Sequence, residues 1–225
     1  MRQAMISSNR LSRFRTVVLE WYRAGGMRAF PWRESRDPYA VLVGEVLLQR
    51  TRGEHVAPVY EEFLRRWPTY RDLGRARLGT IESVIRPLGL AKRAPILKRL
   101  SEALIEIGGI PADPDRLEKL PGIGPYTAHA VLVFTAERNL PVVDWVIARV
   151  LRRYLDLPKD RRPNADEDLW EAAAELAEMG QARDLWLGTL DFASAVCKPR
   201  PLCGECPLSG DCMHFRSLES VGAPS

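Results

Sequence analysis

Four groups of residues in this chain carry types and spacings that can do chemistry. The first is the turn Leu120-Pro121-Gly122-Ile123-Gly124-Pro125. Gly122 and Gly124 can take backbone angles closed to other residues and bring bare N–H groups close to a ligand. Pro125 suits the first position of a helix, where its missing N–H costs nothing. A helix starting there points its positive end at the turn and makes an anion site, which would hold a phosphate without reading base sequence. On its own the turn also fits an ordinary corner between two helices. The second is Asp144, twenty residues after Gly124. It reads as the N-cap of the helix WVIARVLRRYL. The helix dipole and free N–H donors at that end are expected to keep its carboxylate ionised.

The third group is the four cysteines, all between Cys197 and Cys212, with five, two and five residues in the successive gaps. A secreted disulfide framework spreads its cysteines more widely, so the cluster points to a local metal site. Zinc and a [4Fe–4S] cluster both accept four thiolates. The fourth is Glu45, set in the apolar run VLVGEVLLQRT. Burying a carboxylate there is costly without a partner or a function, the alternative being an exposed helix face. His129 carries no assigned role. Arg149, Arg152 and Arg153 read as partly solvated helix charges within reach of a phosphate, and Lys198 and Arg200 as basic neighbours of the cysteines.

The elements that must position these groups read as helices throughout. Leu11, Phe14, Val17, Val18 and Trp21 follow helical spacing, closed by Gly25-Gly26. Phe30-Pro31-Trp32-Arg33 reads as a short extended link. Asp37-Pro38 opens a helix through YAVLVGEVLLQRT. Further helices are expected over HVAPVYEEFLRRW, Thr80 to Leu88, Ala94 to Ile107 and Asp113 to Lys119. After the Asp144 helix, Pro158 to Asn164 reads as a polar linker, followed by helices over Asp166 to Met179 and Ala182 to Val196. No stretch alternates long enough to make a strand, so the expected fold class is all-α.

The chain has 225 residues, 46% hydrophobic and 28% charged, a globular balance. Its net charge of +4 and pI near 9.0 fit a nucleic-acid partner. No apolar run reaches membrane-spanning length and no leader pattern is present, so an intracellular, cytoplasmic, nucleoid-associated monomer is expected.

Leu120-Pro121-Gly122-Ile123-Gly124-Pro125-Tyr126-Thr127-Ala128, followed by Val142-Val143-Asp144 and Arg149-Val150, resembles the helix–hairpin–helix and Gly/Pro–Asp loop of the endonuclease III (HhH-GPD) superfamily of DNA glycosylases. The segment from Phe30 through Asp37-Pro38-Tyr39 to Glu45-Val46-Leu47-Leu48-Gln49-Arg50-Thr51 is similar to two branches. These are the archaeal-type thymine mismatch glycosylases and the catalytic domain of the A/G-specific adenine glycosylases. The resemblance covers about residues 10–212. It implies a two-lobed fold, with a six-helix barrel over residues 30–139 and a second lobe from 9–29 plus 140–225. That second lobe carries a [4Fe–4S] loop at 197–212, and the active site lies in the cleft between lobes.

The resemblance also implies roles. Asp144 is the catalytic aspartate, which stabilises positive charge on the sugar as the N-glycosidic bond breaks and orients or deprotonates the attacking water. Glu45 lies in the base pocket. Gln49 and Arg50 help fill the hole left by the extruded base, and Gly122, Ile123 and Gly124 hold DNA phosphate. Cys197, Cys203, Cys206 and Cys212 ligate the cluster, with zinc as the alternative. Tyr126 stands where lyases of the superfamily carry a lysine. A phenol forms no Schiff base, so a monofunctional enzyme is expected.

The expected substrate is double-stranded DNA with a mispaired or damaged base, T or U opposite G. Gly89-Leu90-Ala91-Lys92-Arg93-Ala94 looks closer to the thymine branch. The chain stops soon after the cysteines, without the further domain that adenine glycosylases use to recognise 8-oxoguanine. Adenine removal from A·G or A·8-oxoguanine pairs is the alternative, and a non-catalytic DNA-binding module the alternative of another class. Two positions depart from the family pattern. Val146 replaces the usual Asn, and the first cysteine gap has five residues where six are usual.

Overall fold

The structure is a computed structural model describing residues 7–26, 29–49 and 51–220. Arg50 lies outside the described residues. Thirteen α-helices and no strand occur among the described residues, so the fold is all-α, as the sequence predicts. In chain order they are α1 (Ser8–Trp21), α2 (Pro31–Glu34), α3 (Pro38–Leu48), α4 (Gly53–Arg66), α5 (Tyr70–Arg75), α6 (Leu78–Ile85), α7 (Ala94–Glu106), α8 (Pro114–Glu118), α9 (Pro125–Ala136), α10 (Trp145–Leu155), α11 (Glu167–Glu178), α12 (Ala182–Ala195) and α13 (Met213–Ser220). No helix among them is long and apolar enough to cross a membrane.

Local chemistry fixes several starts. Asp37 Oδ1 accepts from Tyr39 N–H at 2.9 Å, with Pro38 opening α3. Asp113 Oδ1 accepts from Arg116 N–H at 2.9 Å to open α8. Thr69 Oγ1 accepts from Asp72 N–H and donates to Asp72 Oδ2, which opens the six-residue α5.

The contacts divide the chain into two compact units, residues 29–137 and residues 1–28 with 138–225. In the first, α5 packs on α7, α3 on α9 and on α4, and α8 on α9. Helix α3 is buried over every residue from Tyr39 to Leu47, so it has no solvent face. In the second, α1 packs on α12 and α11, and α10 packs on α12 and α13. Ile147, Val150, Leu151 and Tyr154 form the buried stripe of α10, at the spacing of one helix face.

Two readings of the sequence need correction. Phe30 is extended (φ −135°, ψ 141°), but Pro31 to Glu34 form a helix rather than a link. Proline restricts the residue before it while itself fitting a helix start. Phe30 then stacks on Trp32 at 4.8 Å. Helix α3 ends at Leu48, before Thr51, with Gln49 leaving the helical region (φ −56°, ψ 112°).

Candidate active site

The hairpin is built by α8, the turn and α9. Leu120 N–H donates to the Leu117 carbonyl and Ile123 N–H to the Leu120 carbonyl. Gly122 has φ +79°, a left-handed angle that favours glycine. A Cβ there would sit 2.4 Å from Ile96 Cγ2, so Gly122 is required by sterics as well. Gly124 differs from the expectation. Its φ of −115° and ψ of 179° suit any residue, and no atom lies within 4 Å of where its Cβ would be. Gly124 is the N-cap of α9 and no side chain caps that end. Its value is therefore open space in front of a helix N-terminus, which an anion can approach. Ile123 is buried beneath the turn and Tyr126 stands half-buried in the first turn of α9.

Glu45 is 5% exposed, which removes the exposed-face alternative. It lies on α3, and α3 packs against α9, the helix of Tyr126. Arg93 Nη1 donates to the Val46 carbonyl at 2.9 Å, so the Gly89-to-Ala94 segment braces the residue after Glu45. Gln49 is exposed at the C-cap of α3.

Asp144 caps α10 with one oxygen. Oδ1 accepts from Val146 N–H at 2.9 Å and Ile147 N–H at 2.7 Å. No other described residue donates a hydrogen bond to Oδ2. One oxygen is thus fixed and the other left available. The helix end pulls this carboxylate toward its ionised form, as the sequence suggests, but a second effect opposes it. Burial pushes its pKa up, and that outweighs the pull of the two N–H donors and of Arg149. Asp144 retains some exposed surface as a residue.

The helix opened by Asp144 also holds the cysteine segment. Arg149 donates through Nε to the Cys197 carbonyl at 3.1 Å and through Nη2 to the Ala193 carbonyl at 3.0 Å. Arg153 donates through Nη1 to the Lys198 carbonyl at 2.6 Å and through Nη2 to the Pro199 carbonyl at 2.9 Å. Its Nη1 also lies 3.5 Å from Cys197 Sγ. Arg152 is buried against Asp166, with Nη2 2.5 Å from Oδ2. All three arginines make structural ties; Arg149 and Arg153 stay partly solvated, as the sequence suggests, whereas Arg152 is buried. Helical periodicity cannot reveal this, because their acceptors lie from about ten to fifty residues away in sequence.

All four cysteines are free thiols and line one apolar pocket, together with Arg153, Val196, Pro201, Leu202 and His214. Burial pushes the Cys203 and Cys212 thiols up and takes Cys206 to about 11, and the other cysteines push each of the three in the same direction. Four thiols lining one apolar pocket are the donor type that zinc and [4Fe–4S] clusters both accept. No group of three or more His, Cys, Asp or Glu among the described residues is arranged to hold a single metal ion. A zinc site needs its thiolates to converge on one ion at about 2.3 Å. A four-iron cluster takes one thiolate at each of four irons, so its sulphurs need not converge on a single point.

The signature of the HhH-GPD superfamily of base excision DNA repair proteins matches residues 43–175. The chain belongs to this family. It is 39% identical to a thymine/uracil-DNA glycosylase of Pyrobaculum aerophilum, over 93% of this chain and 95% of that one. It is 33% identical to the human adenine DNA glycosylase, over 96% of this chain but 43% of that longer protein. Among solved structures, a thermostable thymine-DNA glycosylase superposes with a TM-score of 0.88 at 32% identity, covering 93% of this chain and 98% of that one.

Proposed function

We propose that the protein is a monofunctional DNA glycosylase of base excision repair that removes T or U opposite G. The observation that carries this reading is the carboxylate of Asp144, with Oδ1 fixed by two backbone N–H groups and Oδ2 left available. Likeness to the thymine/uracil-DNA glycosylase over nearly the full length of both chains supports the base assignment. The adenine reading is secondary, since identity to the human adenine DNA glycosylase is lower, at 33%.

In this mechanism the target nucleotide leaves the helical stack, which a mispair makes cheaper. The open N-terminus of α9 holds a backbone phosphate. The bond from C1′ to the base nitrogen breaks, and its electron pair leaves with the base. Glu45 donates a proton or a hydrogen bond to that base. Asp144 Oδ2 stabilises the positive charge at C1′ and takes a proton from water as the water oxygen bonds to C1′. Tyr126 offers no amine, so the product is an abasic site in an uncut strand. Gln49 fills the vacated space. Arg50 shares this role, as the family resemblance implies.

Cys197, Cys203, Cys206 and Cys212 would hold a [4Fe–4S] cluster. When bound, it cross-links four points of the loop and keeps the thiolates deprotonated.

The test is base release from duplexes holding G·T, G·U, A·G or A·8-oxoguanine, read with and without alkali beside Asp144→Asn. Strand cleavage only after alkali, from G·T and G·U, and lost in the variant, is the expected result. Cleavage without alkali, or an adduct trapped by borohydride, contradicts the monofunctional reading. Release from A·G alone favours the adenine branch. A purified protein with zinc and no iron–sulfur absorption contradicts the cluster.

A further inference from the structure

The chain has six tryptophans, and five are engaged. Trp21 packs edge-on to Phe192, Trp32 stacks on Phe30, and Trp67 meets Phe63. Trp170 Nε1 donates to the Pro163 carbonyl and Trp186 Nε1 to the Leu140 carbonyl. Trp145 is the exception. It is 65% exposed, the most exposed large hydrophobic side chain among the described residues. Its indole makes no ring contact or hydrogen bond there. Leaving an indole in water forgoes the burial of a large apolar surface, and nothing in the packing of α10 requires it. The buried stripe of that helix is Ile147, Val150, Leu151 and Tyr154.

Its neighbour says what covers it. Trp145 follows Asp144 directly and is the first residue of α10. Adjacent Cα atoms are about 3.8 Å apart. If Asp144 Oδ2 acts at C1′ of a nucleotide, the adjacent indole is within reach of that nucleotide or the one beside it. An aromatic face next to a nucleobase stacks whatever the base identity.

We propose that Trp145 is a substrate-binding residue whose indole stacks on a DNA base at or next to the nucleotide served by Asp144. The inference rests on the glycosylase reading for its substrate, but its test does not need turnover. The full chain and Trp145→Phe are titrated with a duplex holding one stable abasic-site analogue opposite G, and tryptophan fluorescence is followed. Binding of the same duplex and single-turnover release from G·T are measured for Trp145→Ala and Trp145→Phe.

The duplex is expected to quench wild-type fluorescence, and Trp145→Phe to lose most of that quench while keeping most of the binding. Trp145→Ala is expected to bind roughly tenfold more weakly, the size of one lost stacking contact. Because the side chain is exposed, both variants should keep the wild-type melting temperature. An unchanged quench in Trp145→Phe, or wild-type binding by Trp145→Ala, overturns the inference even if T and U are released normally. A Trp145-dependent quench in a protein that releases no base sinks the glycosylase reading and leaves the stacking contact standing. A wild-type chain that does not bind the duplex sinks both.

Discussion

Arg149 Nε donates to the carbonyl oxygen of Cys197 at 3.1 Å, so the helix capped by Asp144 grips the first cysteine of the loop directly. The same guanidinium reaches the Ala193 carbonyl. Bonds from a charged donor contribute about 1.5–3 kcal/mol each. Arg149→Ala is therefore expected to cost about 2 kcal/mol of stability, the two bonds being only partly buried and loosening together. Urea denaturation measures this, and an unchanged midpoint would show that the loop seats without Arg149.

Asp144→Asn separates stability from activity. Asparagine caps a helix about as well as aspartate, so Oδ1 can still accept from Val146 and Ile147. What is lost is the negative charge on the other side. Base release is expected to fall by at least about a hundredfold. The melting temperature is expected to stay level or rise, because an ionised carboxyl in a desolvated setting is removed. A clear drop in melting temperature would mean that the charge supports the fold.

The acid limb of the rate follows from the same group. Burial raises the Asp144 pKa above that of the unfolded chain, against its two N–H donors and Arg149. The folded state thus binds this proton more tightly. Its contribution favours the fold fully below the unfolded-state pKa and is lost as pH rises through the folded-state pKa. Activity runs the other way, since catalysis needs the ionised form. Single-turnover rates should fall on the acid side with a midpoint above about 3.9, the ordinary aspartate value. A midpoint at or below that value contradicts a desolvated Asp144.

The two hairpin glycines should respond differently to a methyl group. Gly122→Ala meets a positive φ and Ile96 Cγ2 together and is expected to cost about 1–3 kcal/mol. Gly124→Ala meets neither and should cost less than about 1 kcal/mol. It narrows the approach to α9, so weaker binding of duplex of any sequence is expected. Thermal melts and duplex titrations over a salt series distinguish the two effects.

Arg152 and Asp166 form an ion pair only 6% and 0% exposed. Removing Arg152 leaves Asp166 with only the longer contact from Arg161 Nη1 at 4.0 Å, so Arg152→Ala is expected to cost about 3 kcal/mol, the low end for a broken buried pair. Asp166 Oδ1 already lacks a hydrogen-bond partner, which leaves Oδ2 dependent on this arginine. A loss below about 1 kcal/mol would show that water replaces the guanidinium.

Much of this was legible in the sequence, because the informative residues act locally. Asp37-Pro38, Asp113 and Asp144 announce helix starts through bonds that span two or three residues. The four cysteines declare themselves by spacing, and Glu45 by its apolar surroundings. Other features depend on partners far away in the chain. Helix α5 spans six residues, too few to show a hydrophobic period, and is held by Thr69 and by packing on α7. Arg149 and Arg153 look like any solvated pair until their carbonyl acceptors are known. Trp145 is the clearest case, since a tryptophan in a helix reads as core and only the fold shows it in water.

Arg149 and Arg153 hold the loop by three main-chain carbonyls, those of Cys197, Lys198 and Pro199, and Arg149 also reaches the Ala193 carbonyl near the end of α12. Every residue has a carbonyl, so apart from the contact of Arg153 with Cys197 Sγ this grip is blind to the side chains it seats. Between Cys197 and Cys203 most side chains can therefore change without losing the anchorage. The constraint falls on the two arginines, where a change is felt at both ends of one helix.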